Sequence, residues 1–201
     1  MRRHRLLELL ALALLAGGCA KAMPPPPEVV RAAAALTSYS GNLRVSVRGE
    51  ELRGRSRALV AFRRPDALRI EIPGVSGARL VAVVAGGRLT AVLPADRVVL
   101  SREASAAQLE ALLGIALAPE ELMDVLVGIR PAHARDYRVS WGRTLPRRIE
   151  AVLADGTRLS VDVDEAEGAV VLPTAAFEPP EHEGYRPTDA DEARRLLGGR
   201  E

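Results

Sequence analysis

Few side chains in this sequence have the type and spacing that covalent or acid–base chemistry needs, and the clearest is a thiol. Cys19 is the only cysteine. It follows the small residues Ala16, Gly17 and Gly18, an apolar run over 6–15, and the basic Arg2, Arg3 and Arg5. No second cysteine is left for a disulfide, so an oxidising compartment offers the chain nothing. Gly74-Val75-Ser76-Gly77-Ala78 falls one residue short of a nucleophile elbow, and no helical pattern follows it. His4, His133 and His182 are isolated. Asp162, Asp164 and Glu165 invite a calcium reading, but Ala166 and Glu167 stand where an EF-hand loop needs an oxygen ligand and glycine. No phosphate loop or dinucleotide fingerprint is present. The expectation is a protein that is not an enzyme, with no catalytic residue, no metal site and no cofactor.

The chemistry left to Cys19 is anchoring. Residues 1–18 read as a secretory signal, with a basic start, an apolar middle and a small-residue end. A cysteine directly after those small residues resembles a bacterial lipoprotein signal, although Ala16 stands where leucine is usual and Glu8 interrupts the apolar run. That resemblance implies cleavage before Cys19, a diacylglyceryl group on its sulfur and an acyl chain on the new amine. Two or more chains hold a protein firmly to a bilayer where one does not. The other reading is a plain exported protein in which Cys19 is removed or left free. The apolar run is shorter than the roughly 20 residues of a membrane-spanning helix. Ala20 in place of aspartate implies sorting to the outer membrane in a Gram-negative cell, facing the periplasm. Prolines over 24–27 suit a stiff extended spacer.

The elements behind this leader follow from periodicity. Residues 28–36 read as a helix entered through proline. Leu43, Val45 and Val47 alternate with polar residues, the pattern of a half-buried strand. Further strands are expected over 56–62, over Leu68, Ile70 and Ile72, and over 80–85, 89–93 and 98–101. Gly86-Gly87 marks a hairpin turn and 73–77 a loop. The period then changes to that of two short helices. One has Ser105 as cap and Gly114 as stop; the other has Pro119 in its first turn. Strands resume over 137–141, 147–153 and 158–163, with Asp155-Gly156 a hairpin signal. Residues 170–177 read as one more strand. Thr188 or Asp189 caps a last helix through Leu197. The sum is α+β: a meander of antiparallel strands that must curl or be covered, with the helices as cover. The core is aliphatic, since only 3 % of residues are aromatic. Arginines are scattered among acids without interleaved aromatics, which argues against nucleic acid. An arginine-rich face can still lean on anionic head groups.

The order of elements resembles the LolA/LolB family of periplasmic lipoprotein carriers and outer-membrane lipoprotein receptors. The stretches that carry it are YSGNLRVSVRG, RSRALVAFRRPDALRIEIPGVSGARL, LEALLGIALAPEELMDVLVGIRP and TLPRRIEAVLADGTRLSVDV. The third matches best: a helix ending in Leu-Gly, an apolar link, a proline, then a helix closing on Leu-x-Gly-x-x-Pro. The resemblance implies an incomplete antiparallel β-barrel, or half-barrel, with a helical lid over a cavity for acyl chains of lipoproteins or lipids. It divides the chain into a signal over 1–18, an acylated spacer over 19–27, the half-barrel over 28–180 and a tail with a short helix over 181–201. Candidate cavity residues are Leu43, Val45, Val47, Val60, Phe62, Leu68, Ile70 and Ile72 on the strands, with Leu112, Leu113, Leu122 and Leu126 on the lid. Each could equally be ordinary core. The receptor branch inserts an apolar loop tip into the membrane, and Val75 stands at the matching place. Implied partners are the membrane, acyl chains and a soluble periplasmic carrier, with the chain itself a monomer. A different function keeps the same fold as a solid structural or assembly domain that binds a protein partner.

Overall fold

A computed structural model describes residues 24–50 and 53–198. Cys19 and the leader lie outside the described residues. Ten strands form a single open sheet in the order β10-β6-β5-β4-β3-β2-β1-β9-β8-β7. They are β1 (Ser38–Arg48), β2 (Arg53–Arg63), β3 (Ala67–Gly74), β4 (Gly77–Ala85), β5 (Arg88–Leu93), β6 (Val98–Glu103), β7 (Asp136–Trp141), β8 (Pro146–Val152), β9 (Arg158–Gly168) and β10 (Arg186–Pro187). All neighbours run antiparallel except β10, which lies parallel to β6. The sheet does not close, so the architecture is an incomplete barrel covered on its concave side by helices.

Local chemistry explains the turns. Gly86 and Gly87 both have positive φ, 54° and 74°. That is the backbone of the tight hairpin turn whose twist matches the flanking strands. Asp155 accepts from the Thr157 backbone N–H and hydroxyl at 2.9 and 2.7 Å, which fixes the β8–β9 turn.

Helix α1 (Pro27–Ala34) starts on Pro27, with Pro26 still extended at φ −56° and ψ 141°. The stiff spacer therefore ends one residue earlier than the proline run suggests. Helix α2 (Ala106–Leu113) is capped by Ser105, whose Oγ accepts from the Gln108 N–H, and it stops at Gly114 with φ 71°. Helix α3 (Pro119–Leu126) has Glu121 reaching back to accept from the Ala118 N–H at 3.0 Å.

Period two decides the faces. Leu43 and Val47 on β1, Ala58, Val60 and Phe62 on β2, Leu68 and Ile70 on β3, and Leu159 and Val161 on β9 are buried in one cluster with α2 and α3. The opposite, convex face has a smaller cluster of Ala67, Val81, Val83 and Phe177.

Residues 170–177 form no strand. Ala169, at φ 57°, turns the chain off β9, and Pro173 offers no backbone donor for a ladder. The chain instead crosses the convex face as a strap containing a 3-10 turn, Thr174–Phe177. Arg69 donates to the Ala176 and Glu178 carbonyls, and Arg63 lies 5.2 Å over the Phe177 ring.

Beyond the strap, Arg186 N–H and Thr188 N–H donate to the Arg97 and Val99 carbonyls at 2.9 Å each. The chain then enters helix α4 (Ala190–Gly198), capped by Asp189 Oδ1 accepting from the Glu192 N–H at 2.7 Å. Ala190 and Ala193 are buried in the main core, with Leu196 and Leu197 packed against it. The last described stretch, through residue 198, is thus built into the half-barrel and packs on α2.

The start of α4 is pH-sensitive. Hydrogen bonds from Arg186, and then from the Thr188 hydroxyl, hold the Glu192 carboxyl down to about 2, from an ordinary 4.5. A lowered folded value means the stabilisation is complete above the ordinary value and drains as pH falls from there towards 2. Protection of the α4 amides, taken against the intrinsic exchange rate at each pH, is therefore expected to fall between pH 4.5 and 2 more than protection in β1. Glu192→Gln is expected to flatten that difference; an unchanged profile in this variant would remove Glu192 as the cause.

Candidate functional site

Between the concave face and the helices lies a cavity of about 260 Å³. Leu43, Val45, Val47, Val60, Ile70 and Ile72 line its sheet side. Leu112, Leu113, Leu122 and Leu126 line its helix side. These positions recur at every second residue on the strands, so one face of β1, β2 and β3 supplies them. Phe62 and Leu68 share that face but lie outside the cavity. Both are fully buried at the other end of the strands, where Tyr39 stacks on Phe62 with ring centroids 5.4 Å apart. That end is closed by packing.

Further cavity residues, not among those candidates, include Ala58 on β2 and Val125 on α3. Ile115 belongs to the apolar link between α2 and α3, and Leu159 and Val161 to β9. Arg194, Leu197 and Gly198 belong to α4. A signal for α4 was present: Ala190, Ala193, Leu196 and Leu197 repeat at helical spacing.

The charged part of the cavity lining, which we take as its mouth, lies at the end of the sheet that carries the β3–β4 turn. Arg53, Gly54 and Arg55 on β2, Arg79 on β4 and Arg194 on α4 surround this mouth. Arg79 donates to the Leu197 carbonyl, fastening the end of α4 to β4. A cation at a helix C-terminus also opposes the exposed carbonyl dipole. At the same end, the β3–β4 hairpin turns through Val75 and Ser76. Val75 is fully exposed, at 109 % of its reference area.

The lid helices are tied to the sheet by polar contacts. The Tyr137 hydroxyl donates to the Val125 carbonyl at 3.3 Å. Burial, and then the Asp124 carboxylate, raise its pKa, so this donor keeps its proton. Arg64 donates to Asp124 Oδ1 at 2.6 Å and to the Leu36 carbonyl at 3.2 Å. The described residues contain no cluster of potential metal ligands. No described helix is long and apolar enough to cross a membrane.

No protein-family model matches the chain, and no curated protein does. Its structural neighbours include members of the family that the sequence resembles. The LolA superfamily protein of Nitrosomonas europaea is 12 % identical, covering 78 % of this chain and 99 % of that one, with a TM-score of 0.46. A Vibrio parahaemolyticus domain described as outer membrane lipoprotein-sorting is 8 % identical, covering 75 % and 95 %, with a TM-score of 0.45. The Mycobacterium tuberculosis lipoprotein LppX is 12 % identical, covering 79 % and 100 %, with a TM-score of 0.35.

Proposed function

We propose that this chain is a non-catalytic envelope lipoprotein whose half-barrel holds an acyl chain of a lipid or lipoprotein and helps deliver it to the outer membrane. The observation that carries the reading is the largely apolar cavity between sheet and lid. Its volume lies just under the ~300 Å³ at which small-molecule pockets begin. A methylene takes up about as much space as a water molecule, roughly 30 Å³, so the cavity accommodates on the order of ten. At about 0.8 kcal/mol each, their burial offers up to ~8 kcal/mol before the costs of association. That is enough for one chain held reversibly, which is what a protein that takes up and gives up cargo requires. A cargo with more chains requires the lid to move outward. Short helices on a sheet are easier to displace than strands.

Two further parts belong to this reading. Cys19 carries the lipid anchor, and Val75 at the mouth enters the bilayer when cargo is passed on. Cargo is received from a soluble periplasmic carrier.

The test is a soluble form starting at Ala20, purified from the periplasm without detergent and extracted for mass spectrometry. Acyl lipid is expected to co-purify. Leu126→Trp places a large ring in the cavity and is expected to remove most of that lipid while the protein stays folded. A folded, lipid-free parent that also ignores added lipopeptide would transfer the fold to the structural or assembly reading.

A further inference from the structure

The convex face carries charge that the fold does not use. Arg48 on β1 lies directly opposite Arg53 on β2 and directly opposite Arg158 on β9. Arg57 lies opposite Arg44. These positions alternate with the cavity-lining residues of the same strands, so they face outward. Arg55 shares that face, and Arg48, Arg53, Arg55, Arg57 and Arg158 are all exposed.

Several acids of this face are paired or lie away from the patch: Glu71 pairs with Arg69, and Glu165 and Glu167 lie towards the other end of β9, while Glu50 adjoins the patch. Asp164 pairs with Arg44 at 2.7 Å, while Asp162 and Glu150 pair with Arg148 at 3.2 and 2.8 Å. Among the described residues, Arg48, Arg53, Arg55, Arg57 and Arg158 have no ion pair. Like charges directly opposite one another weaken a sheet. An acid in place of Arg48 would face an arginine on each side and stabilise the sheet more than the arginine present. The arrangement therefore answers to something outside the chain.

Its position indicates what. The patch is at the same end of the sheet as the cavity mouth and the exposed tip Val75. A basic surface beside a protruding apolar residue matches the layering of a bilayer, with phosphate outside and hydrocarbon beneath. An acidic protein would match the charge alone. Nearly all the basic residues are arginine, Lys21 being the only lysine. A guanidinium holds a phosphate with two parallel hydrogen bonds, which an ammonium cannot do.

We propose that this end of the half-barrel docks on a membrane surface rich in anionic phospholipid, with Arg48, Arg53, Arg55, Arg57 and Arg158 on the head groups and Val75 below them. The docked molecule presents its mouth to the bilayer. Arg53 and Arg55 also border the cavity mouth, whereas Arg48, Arg57 and Arg158 lie off the cavity lining.

The test uses the whole chain as the cell processes it, carrying Val75→Trp and reconstituted in vesicles with brominated acyl chains. Trp141, at the far end of the sheet, is the internal reference. Quenching of the added tryptophan is expected to be several-fold stronger with phosphatidylglycerol present than in phosphatidylcholine alone, and to fall as salt screens the charges. Changing Arg48, Arg57 and Arg158 together to glutamine, which leaves the cavity lining intact, is expected to weaken docking about tenfold or more. The same change should leave Tm equal or higher. Equal quenching in both vesicle types, or quenching that survives the glutamine variant, would overturn the proposal. So would no quenching in either, the result expected of a patch that serves an acidic protein. Cavity occupancy does not enter this readout, so failure of docking and failure of acyl-chain binding are told apart.

Discussion

Gly128→Ala is expected to lower the unfolding free energy by about 3 kcal/mol and Tm by about 10 °C. Two costs add. Gly128 has φ 86°, where an L side chain loses about 1–2 kcal/mol. A methyl group there would also sit 2.7 and 2.8 Å from ring atoms of Trp141 and 3.2 Å from Pro146 Cγ. Overpacking of that kind costs about 1–3 kcal/mol. This glycine is the one in the closing Leu-x-Gly-x-x-Pro of α3, and its role is now physical. It ends the lid helix and lets the β7–β8 hairpin pack against that end. Gly156→Ala is the control, with φ 91° and nothing within 4 Å of the added carbon. Thermal unfolding followed by circular dichroism should show the smaller loss there. Equal losses would mean that the Trp141 contact contributes nothing.

Arg64→Ala is expected to let the lid open about tenfold more often. One guanidinium joins three parts of the molecule: Asp124 on α3, the Leu36 carbonyl after α1, and the Phe62 ring 5.4 Å away. Charged hydrogen bonds contribute about 1.5–3 kcal/mol when sheltered. Arg64 and Asp124 are 25 % and 33 % exposed, so solvent reduces this to about 1–2 kcal/mol. A tenfold change corresponds to about 1.4 kcal/mol. Amide exchange in α3 is the measurement, with the release rate of a fluorescent fatty acid as the functional counterpart. Faster exchange confined to α3 identifies Arg64 as the latch of the lid. Faster exchange throughout the sheet would make it a general stabiliser and end the latch interpretation.

Sequence reveals which way a residue faces better than how far along the strand it sits. Alternation assigned Val45, Phe62 and Leu68 to one face, and they share it. Only the structure separates Val45, beside an open space, from Phe62, stacked on Tyr39, and from Leu68, its buried cross-strand partner. Turn and cap chemistry was equally legible, because Ser105, Gly114, Pro119 and Asp155-Gly156 act on their immediate neighbours. The strap was not. Residues 170–177 are apolar enough to look like a strand, but they cover the outside of β3 and β4 through contacts more than a hundred residues apart in sequence. No local pattern reports that. The arginine patch was illegible for the same reason. Arg48, Arg53 and Arg158 are merely scattered arginines until strand register sets them side by side.

A sheet that stays open to enclose a cavity exposes two borders of unpaired backbone to other chains, the usual seed of fibrous aggregation. Here both borders are blunted. On one side β10 is two residues long, and Pro187 has no N–H to offer an incoming strand. On the other, β7 carries the charged pair Asp136 and Arg138, and its register shifts between Ser140 and Trp141. A newcomer finds a broken template at each border. The sheet can therefore stay unclosed without offering its own hydrogen bonds to a second copy of the chain.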